Sequence, residues 1–431
     1  MSWSWLLTVR LPTLLAIAAA EYGGGSKRVA GRDPRSFLIC RLDSLGDVVM
    51  TTPLFRELKR AYPDCRCTVL VRGAYRSLLV TNPNIDSVLA LPETRIDWLP
   101  HGLTRLLAAW SVWRGQLRRR EFDVAISPRW ETDGDLGTML CVLSGAASRV
   151  GYTSRVSATK QKLNRGFDAA FTNCLPAGPA RHEVLRSLAI VEAMGGTVQD
   201  DHLDIHLTNR DRYVAGELLA TAQPGSKLIA LGIGAGSAGR CWPLERYAET
   251  ILRLSRQRRV QPVVVCSADE RPQAEELKQM IGGQTIVVCG AALREVCAVL
   301  ERCHLFLGND SGCGHLAAAM NCRTIVVSRH PRQGARDHAN SPVRFAPYCQ
   351  WSRVLQPAEG RDSCRAECRR KEPHCILGVP VDAVVAAADE FLGLRPAMSQ
   401  PELQLPTPRT KKGWSPEMGR PGGPAKPAEL S

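Results

Sequence analysis

Two short polar turns carry the residues whose types and spacing could do chemistry. In Asp43-Ser44-Leu45-Gly46-Asp47 a carboxylate closes a turn behind the apolar run 37–42, and a positioned carboxylate can act as general base toward a hydroxyl that would not ionise by itself at neutral pH. In Gly308-Asn309-Asp310-Ser311-Gly312-Cys313-Gly314-His315 three glycines are interleaved with polar residues, ahead of the small-residue run 316–320. Glycines let backbone N–H groups approach a ligand closely, and the positive end of a following helix favours an anion, so this turn is built like a phosphate cradle. Each turn also has a purely structural reading. Ser44 and Asp47 fit a capping box, and Asp310 or Ser311 fits a helix cap with His315 packed inside.

The elements flanking these turns place both at the carboxyl ends of strands, where open α/β sheets bind ligands. In the amino-terminal half, runs at 37–42, 67–71, 88–91, 122–127 and 149–152 read as strands. Helical patterns at 48–62, 102–120 and 134–142 alternate with them. In the carboxyl-terminal half the strands are expected at 227–233, 262–266, 285–288, 304–307 and 324–328, with helices at 244–256, 270–281 and 293–303. Strand and helix alternating in both halves predict two mostly parallel sheets with right-handed crossovers, with a hinge within 195–209. Two turns of complementary chemistry, one in each half, then face each other across a cleft.

The stretch 41–53, Arg-Leu-Asp-Ser-Leu-Gly-Asp-Val-Val-Met-Thr-Thr-Pro, followed far downstream by Gly308-Asn309-Asp310-Ser311-Gly312 and His315-Leu316-Ala317-Ala318-Ala319, resembles glycosyltransferase family 9, the lipopolysaccharide heptosyltransferases and their relatives. The resemblance covers residues 36–394. It implies an α/β chain of GT-B type: two Rossmann-like, doubly wound domains facing a central cleft, with an acceptor-side domain at 36–200 and a nucleotide-sugar domain at 201–396. It also implies inverting transfer without a metal or other cofactor. The sugar would be heptose from ADP-heptose, moved to a lipopolysaccharide core or related glycan.

The glycine-rich segment 232–241 matches two other patterns in part. Gly234, Gly236 and Gly239 satisfy G-x-G-x-x-G, but Trp242-Pro243 interrupts where a dinucleotide-binding helix should already be running. The same stretch nearly fits a P-loop, with Arg240 where Lys is required and Cys241 where a magnesium-binding hydroxyl is required. Arg240-Cys241-Trp242-Pro243 instead resembles the family's basic residue before Trp-Pro, which implies a cation on the donor diphosphate. In this reading Asp47 is the catalytic base. Arg240, Ser311, Gly312, Cys313 and His315 meet the departing diphosphate, Asp310 orders the turn, and Asp269 or Glu270 holds the donor ribose.

Composition sets the remaining bounds. The chain has 431 residues, 44% hydrophobic and 23% charged, which suits a folded protein of two or three domains. A formal charge of +14, with arginines bunched at 114–120 and basic residues again at 365–371, suits a phosphorylated glycolipid or an anionic inner-membrane surface. Aromatic residues do not interleave with those clusters as an RNA-binding sheet would need, so nucleic acid is not expected as a partner. The sixteen cysteines are scattered singly through apolar segments, as in a reducing compartment, and a cytoplasmic protein is expected. Cys349, Cys364, Cys368, His374 and Cys375 are a candidate zinc cluster without a Cys-x2-Cys pair. Residues 1–35 form an extension whose apolar stretch is too short and interrupted to span a bilayer. It reads as an interfacial anchor or as sequence upstream of the functional start. Residues 397–431, rich in Pro, Gly, Ser and Lys, read as a disordered tail. The competing functional readings are an oxidoreductase, which the Trp-Pro break disfavours, and a non-catalytic nucleotide- or membrane-surface-binding relative of the same fold.

Overall fold

A computed structural model describes residues 3–22, 33–93, 100–360 and 372–393. Two parallel sheets of six strands each carry the chain. The first is built from β1 (Ser36–Arg41), β2 (Arg66–Arg72), β3 (Ser87–Leu91), β4 (Val124–Ser127), β5 (Ser148–Tyr152) and β6 (Asn173–Leu175), in the order β3-β2-β1-β4-β5-β6. The second contains β7 (Lys227–Gly232), β8 (Val260–Cys266), β9 (Ile286–Cys289), β10 (Leu305–Asn309), β11 (Thr324–Val327) and β12 (Ser352–Leu355), ordered β12-β11-β10-β7-β8-β9. Read from β9, the second order repeats the first. This is the doubly wound pattern, and in each sheet the strand order reverses between the two central strands, β1 and β4 or β7 and β10. Loops leaving the carboxyl ends of those four strands therefore line the natural binding crevice.

The central strands are apolar on both faces, as crossover helices on each side require. Burial is complete at Phe37, Leu38 and Ile39 of β1 and at Leu305, Phe306 and Leu307 of β10. One edge of each sheet adds a short strand to the expected set. Neither β6 nor β12 shows an apolar run, since Asn-Cys-Leu and Ser-Arg-Val-Leu are held by pairing with β5 and β11 rather than by burial.

Three helices differ from expectation, two of them for a reason visible in the local hydrogen bonds. The pattern over 48–62 forms two helices, Leu45–Met50 and Thr52–Ala61. Pro53 offers no N–H to continue the first, and the hydroxyls of Thr51 and Thr52 instead donate to the carbonyls of Asp47 and Val49 at 2.8 and 2.7 Å. The 102–120 pattern becomes the helix His101–Val112 and a π-helical turn, Trp113–Leu117. The helix expected from 134 starts at Gly137, because the Asp133 carboxylate accepts from the amides of Asp135, Gly137 and Thr138 and holds the preceding residues in a turn.

The segment between the sheets is laced to the first. Arg56 donates to the carbonyls of Asp200 and His202, Thr81 to that of His206, and Thr52 Oγ1 accepts from the Asp204 amide. The amino-terminal segment also packs on the first lobe, where Val9, Ala16 and Ile17 are buried beside Ala108, Ala109, Met139 and Leu140. Among the described residues no helix is long and apolar enough to cross a membrane. Of the candidate zinc cluster, Cys364 and Cys368 lie outside the described residues, as do the basic stretch 365–371 and the tail 397–431.

Candidate active site

The two turns singled out in the sequence meet at the base of the cleft. The helix Leu45–Met50 follows the β1 turn and the helix Gly312–Ala319 follows the β10 turn, and their starts pack directly on each other. A Cβ on Gly46 would lie 2.6 Å from His315 Cδ2, and one on Gly312 would lie 2.8 Å from Leu45 Cδ2. No side chain larger than glycine fits either position without displacing its neighbour. Above this contact opens a cavity of about 670 Å³, lined from the first lobe by Ser44, Asp47 and Arg129 and from the second by Arg240, Glu270 and the 310–315 turn.

Asp47 is almost wholly buried. Its carboxylate accepts from Arg41 Nη2 at 3.1 Å, from Ser44 Oγ at 2.7 Å and from the Ser44 amide at 3.3 Å, with Arg129 Nη1 at 3.7 Å. Burial alone would push its pKa up, but the combined pull of Arg41, Arg129 and the Ser44 hydrogen bonds holds it below the ordinary carboxylate value. Asp47 thus closes a capping box with Ser44 and also lines the cavity. Asp43 pairs with the same two arginines, at 3.3 Å from Arg41 and 2.5 Å from Arg129. Sequence reasoning assigned no role to Arg129. It comes from the loop after β4, the topological neighbour of β1, and that adjacency was the only signal for it.

On the facing side, Arg240 Nη2 pairs with the Asp310 carboxylate at 2.9 Å and also donates to the Asp310 carbonyl. Asn309, fully buried, fixes the geometry around them. Its Oδ1 accepts from the Trp242 amide at 2.8 Å and from the Tyr247 hydroxyl at 3.0 Å, and its Nδ2 donates to the Ile233 carbonyl at 2.6 Å. Trp242 is buried edge-on against Tyr247 and donates from Nε1 to the Val379 carbonyl. The Trp-Pro motif is therefore an anchor that presents Arg240. The amides of Gly312 and Cys313 lie in the first turn of their helix, where no intrahelical acceptor exists, and Ser311 and Cys313 line the cavity beside them.

His315 is buried with Nδ1 lacking a hydrogen-bond partner. Burial lowers its pKa more than the nearby Asp310 and Asp47 carboxylates raise it, with Arg240 adding to the downward push, so the ring is neutral near pH 7. Glu270 lines the cavity and accepts from the Ser267 amide at 2.9 Å, whereas Asp269 is exposed and lies off the lining. The chain also contains an Asp-x-Asp sequence, Asp133-Gly134-Asp135, of the kind that can hold a divalent ion on a diphosphate. Here Asp133 is spent on backbone amides and Asp135 on Arg72 and Arg105, at 2.8 and 2.9 Å, and neither lines the cavity.

A second group spans the cleft. Arg344, from the second lobe and fully buried, reaches Glu183 of the first at 2.9 Å and pairs with Glu131, while its guanidinium lies 4.6 Å from the Trp130 ring centre. Arg186 lies 3.6 Å from the same ring and bonds Glu183 at 2.7 Å. Buried charges of this kind need each other, and losing one partner strands the rest.

Two doubly wound sheets with a cleft between their strand ends make the GT-B fold. Residues 113–334 match the family Glycosyltransferase family 9 (heptosyltransferase), and the chain belongs to that family. It is 25% identical over 364 residues to the lipopolysaccharide heptosyltransferase 3 of Escherichia coli strain K12, covering 80% of this chain and 95% of that one. The fold is similar to that of a glycosyl transferase family 9 protein from Veillonella parvula, with a TM-score of 0.68 at 20% identity over 83% of this chain and 97% of that one. It is also similar to the E. coli heptosyltransferase WaaC with ADP, with a TM-score of 0.58 at 16% identity over 83% and 99% of the two chains.

Proposed function

We propose that the protein moves a heptose from ADP-heptose to a hydroxyl of a lipopolysaccharide core or related glycan, with inversion at the anomeric carbon and without a metal ion. The observation that carries this reading is the junction at Gly46 and His315, which sets a buried, ionised carboxylate opposite an arginine and a helix start within one cavity. In the proposed step the acceptor oxygen attacks the anomeric carbon from the face opposite the diphosphate. The new carbon–oxygen bond forms as the bond to the diphosphate breaks, and the acceptor proton passes to Asp47. Because Asp47 is a weak base, it suits a transition state in which charge builds at the anomeric carbon before the proton leaves.

The negative charge released on the diphosphate meets Arg240, the Gly312 and Cys313 amides and the Ser311 hydroxyl, while neutral His315 can donate one N–H. Asp310 orients Arg240, and Glu270 suits the ribose hydroxyls. The second lobe, 201–396, takes the nucleotide sugar and the first, 36–200, the acceptor. An ADP ligand in a relative of the same fold and the lipopolysaccharide heptosyltransferase among the relatives support the donor and the acceptor class.

The test is release of ADP from ADP-heptose in the presence of a lipopolysaccharide core acceptor, with and without chelator, beside a thermal-shift panel of ADP, UDP, GDP and CDP. A bound nucleotide at about 100 times its dissociation constant adds roughly 2.7 kcal/mol of stability. Selective stabilisation by ADP and chelator-resistant turnover are expected. Preference for another nucleotide would overturn the donor, and loss of turnover in chelator, restored by magnesium or manganese, would overturn the metal-free diphosphate site.

A further inference from the structure

The amino-terminal segment and the helix His101–Val112 together expose an apolar surface that the transfer chemistry does not use. From Trp3 to Tyr22 the backbone is helical, with a π-helical turn at Leu6–Arg10, and its buried face locks onto the first lobe through Thr8, Val9, Thr13, Ala16 and Ile17. The opposite face presents Leu7, Leu11 and Leu15, spaced one helical turn apart. The helix His101–Val112 meets this segment where a Cβ on Gly102 would lie 2.4 Å from Thr8 Oγ1, and its outer face presents Leu103, Leu107 and Trp110. These six side chains are 36–60% exposed, and they make up six of the eleven large apolar side chains exposed among the described residues. Concentrating over half of them on two crossing helices is not the scatter expected of an ordinary soluble surface.

The charge on these elements is predominantly basic, with Glu21 near the end of the amino-terminal segment and Glu121 just past Arg120 as the exposed acidic residues. Trp110 continues along its face to Arg114 and Arg118, with Arg119 and Arg120 beside them and Arg10 on the other helix. The stretch 101–120 contains no acidic residue, and among the described residues no carboxylate pairs with Arg10, Arg114, Arg118 or Arg119. Leucines and a tryptophan on a helix face, with arginines at its end that no described carboxylate pairs, match the boundary between acyl chains and anionic headgroups. There the apolar groups enter the interface and the guanidiniums remain on phosphate.

We propose that this two-helix surface docks the protein on an anionic lipid bilayer, with the helices lying in the plane of the interface. Six leucine and tryptophan side chains supply the insertion, and the arginines supply the preference for acidic lipid. The inference stands on surface composition rather than on the transfer step, so the two can fail separately.

The experiment is flotation of the full chain, without substrate, with vesicles of phosphatidylcholine plus phosphatidylglycerol or of phosphatidylcholine alone. The wild-type chain is expected to float with the anionic vesicles and at least about tenfold less with the neutral ones. Leu107→Glu/Trp110→Glu should cut partitioning at least about tenfold at unchanged melting temperature, and Arg118→Glu/Arg119→Glu should erase the preference for acidic lipid. Failure of the wild type to float with anionic vesicles, or equal flotation of the Leu107→Glu/Trp110→Glu variant, would overturn the proposal. So would a dimer in solution, seen by light scattering, that the same variant converts to monomer, because a second copy would then be the occupant of the surface.

Discussion

Replacing Asp47 by Asn removes one charge from a buried cluster while preserving size, and its two consequences can be separated. Oδ2 accepts from the Ser44 amide and hydroxyl, and an amide oxygen can inherit those bonds. The loss falls on Arg41 at 3.1 Å and Arg129 at 3.7 Å. A hydrogen bond to a charged group contributes about 1.5–3 kcal/mol, and a wholly stranded buried charge costs about 3–5 kcal/mol. Asp43 still faces both arginines at 3.3 and 2.5 Å, so the lower range applies, and about 2 kcal/mol of stability should go. The variant should melt a few degrees lower yet remain folded at assay temperature. Turnover, followed as ADP release, should fall at least about a hundredfold, the range for loss of a positioned base. ADP affinity by calorimetry should hold, because the proposed step keeps Asp47 off the diphosphate. Turnover within tenfold of the parent at matched ADP affinity would show that Asp47 only caps its helix and pairs with arginines, and would refute the mechanism. The depressed pKa adds a sign. Stability from ionised Asp47 is complete above the unfolded value of 3.8 and is lost only as pH falls below that toward the lower folded value, so this residue should impose no acid limb on turnover between pH 5 and 7.

Arg240→Ala should weaken ADP binding by about 1.5–3 kcal/mol. Because the arginine is a quarter exposed and its pair with Asp310 is partly screened, stability without ligand should fall by less than about 1 kcal/mol, and equal ADP affinity in variant and parent would return Arg240 to a structural role. Gly46→Ala drives a methyl into His315 and should cost about 1–3 kcal/mol together with most of the turnover; an unchanged melting temperature would mean that the ring simply turns aside. His182 accepts from the Val184 amide and reaches the Ala346 carbonyl at 2.8 Å, and burial first, with His315 and Arg186 adding to it, lowers its pKa to about 4. The unfolded chain takes up a proton at this position below about 6.5, so stability should decline from pH 6.5 toward 4 by up to roughly 3 kcal/mol and then level. His182→Gln should flatten that part of the melting-temperature profile, and an unchanged profile would assign the acid sensitivity to other groups.

Sequence by itself determined the elements that come from local rules. Ten of the twelve strands are legible as apolar runs bounded by turns, because a parallel strand covered on both faces must be apolar throughout. The helix starts after the β1 and β10 turns are legible because cap residues and glycines act within a few positions of one another. The order of motifs also carried the family resemblance, and with it the expectation of two facing lobes. Edge strands β6 and β12 were not legible, since pairing rather than burial holds them.

Tertiary structure alone decided how the site is assembled. Asp47 and His315 lie far apart in the chain, and it is the close approach of two helix starts, permitted by glycine at 46 and 312, that makes one cavity of them. Arg129 became part of the site only because β4 lies beside β1, and Arg344 because the short helix Pro342–Phe345 sets it against Glu131 and Glu183 of the other lobe. Asp133-Gly134-Asp135 shows the converse: a sequence with the composition of a metal site whose carboxylates the fold has already committed to a turn and to two arginines. The physical reason is the same in each case. Residue type sets what a side chain can donate, accept or ionise, whereas its partners, and therefore its pKa and its access to a ligand, are set by long-range packing that local pattern does not encode.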